Sequence, residues 1–112
     1  MKTQLTAEES AKLIELGVSP ERASERESSV AYGNGARGIM KAPQTPIFSL
    51  ADILDILPKE INREHLEMGA DDEEWYAEYN NITLAGSYSF ASELIDALYS
   101  LLLWCLEKGY VK

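Results

Sequence analysis

The 112 residues make a single domain, 1–112, long enough to bury roughly 65% of the unfolded surface around one core. Hydrophobic residues make up 46% of the chain, which argues against wholesale disorder. The balance of 19 acidic to 10 basic residues, a formal net charge of −9, disfavours nucleic acid and anionic membrane as direct partners, since both are polyanions.

The first predicted element is a helix over 7–16. Thr6 and Glu9 have the T-x-x-E spacing of a capping box, and Ala7, Ala11, Leu13 and Ile14 supply an apolar face. Glu8 and Lys12 have the spacing of an i,i+4 ion pair. Gly17 suits the left-handed residue after the helix, with Val18 folding back on Leu13. Ser19-Pro20 reads as a second start, for a short charged helix over Pro20–Arg26. Ser29–Tyr32 reads as a brief strand. Gly33, Gly35 and Gly38 loosen the next segment, and Pro43 and Pro46 exclude a helix there, leaving a loop or an edge strand.

A second helix is predicted over 50–57. Ser49 and Asp52 form its capping pair, Phe48 staples onto Ile53, and Pro58 stops it. Ile61 docks the exit segment. From Glu64 the apolar period changes to two. Leu66 and Met68 flank Glu67, and Trp75, Ala77 and Tyr79 alternate with Tyr76 and Glu78. That pattern predicts an antiparallel hairpin over 64–80, joined by a polar loop over Gly69–Glu74, with a third strand over 82–85. Gly86 through Ser89 then lead to a helix over 92–108, capped by Ser89 or Ser92. Its apolar stripe is Leu94, Leu98, Leu101, Leu102 and Cys105, and Ile95, Leu103, Trp104 and Leu106 widen it beyond one face. At about 24 Å it is shorter than a bilayer core of about 30 Å, and it contains Asp96 and Glu107, so it is a core helix rather than a membrane span.

Several residue groups invite a chemical reading. Gly33-Asn34-Gly35-Ala36-Arg37-Gly38 matches G-x-G-x-x-G, but the phosphate-binding helix that should follow is displaced by Pro43 and Pro46. Asp71-Asp72-Glu73-Glu74 gathers carboxylates without the spacing of a calcium loop, so a solvated turn is the simpler reading. His65 is the only histidine, and no nucleophile or metal-ligand signature surrounds it. The aromatic run Trp75, Tyr76, Tyr79, Tyr88 and Phe90 lacks the basic groove that base stacking requires, because residues 64–96 contain no Lys or Arg. No catalytic residue, cofactor or metal is therefore assigned. Trp75 and Tyr79 are expected to face the core. Tyr76 is expected on the opposite face, a candidate interaction surface, and Leu103 and Trp104 are the candidate contact residues on the wide last helix. The lone Cys105 and the absence of an apolar leader in MKTQLTAEES suggest a cytoplasmic setting.

The chain also resembles a family of short proteins of Bacteroides-type gut bacteria and their phages and mobile elements. The resemblance rests on Glu8–Gly17 (EESAKLIELG), Pro46–Ile61 (PIFSLADILDILPKEI) and Glu93–Tyr110 (ELIDALYSLLLWCLEKGY). No activity is established for that family, so the resemblance implies a setting and no mechanism. The expectation is thus an α+β domain with its small antiparallel sheet packed on the helices. Functionally, the leading reading is a non-enzymatic interaction or accessory protein of a mobile element, binding a protein partner or forming a homo-oligomer. The alternatives are an acidic decoy of a nucleic-acid-binding protein and a small enzyme.

Overall fold

The computed structural model describes residues 2–28, 44–79 and 88–111. The predicted Ser29–Tyr32 and 82–85 strands and the Gly33–Gly38 loop lie outside them. The architecture is the expected α+β arrangement. Helix α1 spans Ala7–Glu15, strands β1 and β2 span Glu25–Ser28 and Gln44–Ile47, and helix α2 spans Leu50–Ile56. Strands β3 (Glu60–Ile61), β4 (Glu64–Ala70), β5 (Trp75–Tyr79) and β6 (Tyr88–Ala91) follow, then helix α3 (Leu94–Lys108). All pairing is antiparallel: β1 with β2, and a four-stranded sheet in the order β3-β4-β5-β6.

The caps are built as their spacing requires. Thr6 Oγ1 accepts from the Glu9 amide at 3.1 Å, and Glu9 Oε1 accepts from the Thr6 amide at 3.0 Å. Gly17, at φ +111°, turns the chain so that the Val18 amide reaches the Leu13 carbonyl. The buried face of α1 differs from the expected one. Ala11 is exposed and Ser10 is buried, its hydroxyl accepting from the Phe48 amide at 3.1 Å. Lys12 lies 3.9 Å from Glu15 rather than pairing with Glu8.

The predicted second helix shrinks to one 3-10 turn, Pro20–Arg22. Asp52 explains this. Its carboxylate closes the α2 capping box with Ser49 and also accepts from the backbone and hydroxyl of Ser24, each at 2.8 Å. Those bonds draw the chain out of the helix into β1.

Two further expectations are corrected. The hairpin loop is Asp71–Glu74, because Gly69 and Ala70 remain in β4. Asp71 Oδ1 accepts from the amides of Glu73 and Glu74, at 2.9 and 2.8 Å, and closes the turn within four residues. Neither Ser89 nor Ser92 caps α3. Tyr88–Ala91 is a strand, and the N-cap is Glu93, whose side chain makes no capping bond. The Glu93 carboxylate instead accepts from the Lys2 amide, while Lys2 Nζ bridges Glu9 at 3.1 Å and Asp96 at 2.7 Å. The start of the described chain is thereby tied to the start of α3.

The core lies between the sheet and the helices. α3 lies against β5 and β6 on one side and against α2 on another. Leu94, Ile95, Ala97, Leu98, Leu101, Leu102 and Cys105 are all buried, with Ala77 and Tyr79 from β5 and Phe48, Ile53 and Leu57 from around α2. The Tyr79 hydroxyl donates to the Pro58 carbonyl, which satisfies its polar end. Burial pushes the Cys105 thiol up to about 11, against the smaller lowering effect of its contact with Tyr79, so it stays protonated and inert. α3 ends at Gly109 in the left-handed conformation, φ +81°. Among the described residues no helix is long and apolar enough to cross a membrane.

Candidate interaction surface

Because α3 packs on one face of β5 and β6, the strand period of two decides which residues face away from it. Trp75, Ala77 and Tyr79 of β5 take the covered face. Tyr76 and Glu78 take the other, as the alternation predicts. The register carries that outer face across its neighbours. Gly69 of β4 and Phe90 of β6 flank Tyr76; Glu67 of β4 and Tyr88 of β6 flank Glu78. The outer face is thus two rows, Gly69-Tyr76-Phe90 and Glu67-Glu78-Tyr88.

The first row makes an aromatic platform. A Cβ placed on Gly69 would lie 2.7 Å from the Tyr76 hydroxyl oxygen, 2.9 Å from Cζ and 3.0 Å from Cε1, so the Tyr76 ring lies over the Gly69 backbone. The Phe90 ring stands 6.4 Å from Tyr76, tilted by 49°, and the Tyr88 ring meets Phe90 edge-on at 6.0 Å and 68°. These separations fall in the range of favourable aromatic pairs. Two of the three rings remain open to water, Tyr88 at 60% and Phe90 at 54% exposed, while Tyr76 is half-buried.

The second row is electrostatically unusual. Glu67 and Glu78 are directly opposite on adjacent strands, an arrangement that costs stability because like charges face each other. The Asp71–Glu74 turn, joining β4 to β5, adds further carboxylates. The carboxyl group of Asp71 is held below its ordinary value by the amides of Glu73 and Glu74, which keeps it ionised. Its oxygen is committed to the turn rather than free for a metal. Among the described residues there is no group of three or more side chains placed to hold a metal ion.

The sequence-predicted contact residues divide between two places. Tyr76 is on the outer face. Leu103 and Trp104 are on α3, across the sheet from it, half-buried and packed against the core. Trp104 also stacks on Tyr110 at 5.3 Å. The width of α3 is therefore largely absorbed inside the domain, and the structure does not bring these three residues together. His65 is exposed on β4, opposite Glu60 of β3. Tyr88 and Phe90 join Tyr76 because Tyr88–Ala91 is a strand, where Gly86 through Ser89 were expected to lead directly into α3. The signal was the alternation Tyr-Ser-Phe-Ala over four residues, which is itself strand-like.

Comparison with protein-family models, curated proteins and solved structures finds no match for this chain.

Proposed function

We propose that this chain is a non-enzymatic protein-interaction module that binds a basic segment of another protein on the outer face of its sheet. The observation that carries this reading is the pairing of Tyr88 and Phe90, both more than half exposed on a strand, beside Tyr76. Large aromatic side chains provide most of the anchoring energy in protein interfaces, and a strand holds them at low entropic cost. The charge of the face selects the partner. Glu67, Glu78 and the Asp71–Glu74 turn surround the rings, and residues 64–96 carry no Lys or Arg, so a basic segment is attracted and a polyanion repelled. A second copy of this chain, at net −9, would meet the same repulsion. The resemblance noted in the sequence supplies the setting, a cytoplasmic accessory factor of a mobile element.

An acidic decoy is the weaker reading, because two large rings, Tyr88 and Phe90, are among the most exposed side chains of this face, and a decoy needs carboxylates alone. Photo-crosslinking separates the alternatives. A photoreactive phenylalanine at position 90 is expected to capture a partner through a Lys- or Arg-bearing segment, in a yield that falls with added salt. The same probe at Leu16, the exposed apolar C-cap residue of α1, is expected to capture none. Equal capture from both positions, adducts to segments without basic residues, or adducts to a second copy of the chain would each overturn the proposal.

A further inference from the structure

Building on the interaction reading above, we infer that the outer face is a seat for a single arginine side chain, with its guanidinium over the Tyr76 ring and within reach of Glu67 and Glu78. Gly69 makes the platform possible. Without a Cβ it lets the Tyr76 ring settle over the β4 backbone, and any larger residue would collide with the ring at 2.7–3.0 Å. The hydroxyl end of the ring rests on the strand, and Tyr76 is half-buried there, so the part of the ring turned away from the sheet is the part an incoming group meets. Phe90, tilted by 49° beside it and braced edge-on by Tyr88, forms a wall on the β6 side. A flat aromatic face with an adjacent apolar wall suits a planar cation.

Charge completes the seat. Glu67 and Glu78 sit one row away, a step of about 7 Å along the strand, which a glutamate side chain spans in part. Facing each other, they repel until a positive group lies between or beside them. A neutral ring-stacking ligand such as a sugar would leave that repulsion in place. A cation removes it, and the aromatic platform and the carboxylate pair then favour the same ligand.

Arginine fits better than lysine for a geometric reason. The guanidinium is planar, so it stacks on a ring while directing N–H groups outward in its own plane towards two carboxylates. It also sheds water more readily than an ammonium group. Lysine would offer a point charge and leave the flat face of Tyr76 less well covered.

The test uses the full chain, labelled with nitrogen-15, and three short peptides: one arginine in a neutral Gly-Ser-Thr background, and the same peptide with citrulline or lysine in its place. Citrulline keeps the planar shape and removes the charge. The arginine peptide is expected to shift the amides of Gly69, Tyr76 and Phe90 and to bind about ten-fold more tightly than the citrulline peptide, with lysine between them. Tyr76→Leu is expected to weaken arginine binding roughly five- to thirty-fold. The combined Glu67→Gln and Glu78→Gln variant, nearly isosteric and relieved of a like-charge pair, is expected to remain folded and to lose most of the preference for arginine over citrulline, the remainder being the attraction of the Tyr76 ring. It carries the test if Tyr76→Leu does not fold. Equal binding of arginine and citrulline by the unaltered chain, or an undiminished preference in the double variant, overturns the seat while leaving the interaction surface standing. Absence of any outer-face shift also overturns the seat, and crosslinking from position 90 judges the surface independently.

Discussion

Replacing Gly69 with alanine separates the platform from the fold. Gly69 has no positive φ, so alanine is compatible with its strand backbone. The added Cβ meets only the outer part of the Tyr76 side chain, at 2.7 Å from the hydroxyl oxygen. Reaching an ordinary contact distance requires the hydroxyl to move by about 0.7 Å, which a ring at the surface achieves by swinging off the strand. The stability terms nearly cancel. Alanine restricts the unfolded chain, worth about 0.4–1 kcal/mol in favour of folding, while the displaced ring loses part of its packing. The net change is expected within about 1 kcal/mol, or about 4–8 °C in melting temperature for a domain near this size. Binding behaves differently, because a ring that no longer rests on the sheet presents a poorer face to a cation. A loss of roughly two- to thirty-fold in affinity for the arginine peptide is expected, corresponding to about 0.5–2 kcal/mol of cation–π attraction. Thermal denaturation and amide-shift titration on the same sample measure both quantities. Unchanged affinity would refute the platform. A fall in melting temperature well beyond 10 °C would show that Tyr76 over Gly69 is a structural contact rather than a binding feature.

Three further predictions address the charge pattern and the core. Glu78→Lys places a cation opposite Glu67, so thermal stability should rise by up to about 1 kcal/mol while arginine-peptide binding is abolished. Ser10→Ala leaves the buried Phe48 amide without its acceptor and should cost about 1–3 kcal/mol, with faster hydrogen exchange at Phe48 as the local signature. The acid limb of stability should depend on Glu9 and Asp52. Burial raises both carboxyls, but the amides of Thr6 and Ser49 and the further bonds from Lys2 and Ser24 outweigh it, leaving each below its ordinary value of 4.5 or 3.8. Their contribution is therefore present above those values and is lost as pH falls through the lowered ones, and Asp52→Asn should flatten the acid limb in a urea-midpoint-against-pH series. Lys2 works in the opposite sense. Its bond to Asp96 raises it above 10.5, so its contribution holds below that value and fades only as pH rises beyond it.

The elements that were legible in the sequence are those whose ends carry their own chemistry. Thr6 with Glu9 and Ser49 with Asp52 each satisfy backbone groups locally, so spacing alone locates them. The helix after Pro20 failed because its end is decided by a distant residue, Asp52, which no local pattern reveals. Strand β3 has only two residues and hangs on the turn at Asn62 and Arg63, both at positive φ, where the usual asparagine-glycine signature is absent. The outward placement of Tyr76 followed from the period of β5. Its neighbours did not, because they come from separate strands and meet it only through register.

Strand β6 was missed for a different reason, and that reason bears on function. A half-buried strand ordinarily turns its large apolar residues inward. In β6 the polarity is reversed: Ser89 and Ala91 face α3, which packs closely against this strand, and Tyr88 and Phe90 face water. Two further departures from local preference fall on the same face. Glu67 opposes Glu78, and a glycine interrupts β4 where a side chain would normally pack. By contrast, the capping boxes of α1 and α2 and the apolar stripe of α3 agree with the fold. Stability alone would favour an inward tyrosine, a lysine at position 78 and a β-branched residue at position 69. Each of these would improve the sheet, and together they would erase the rings, the charge and the platform from the outer face. Their joint absence from one surface is what a site retained for binding, at some expense to stability, should look like.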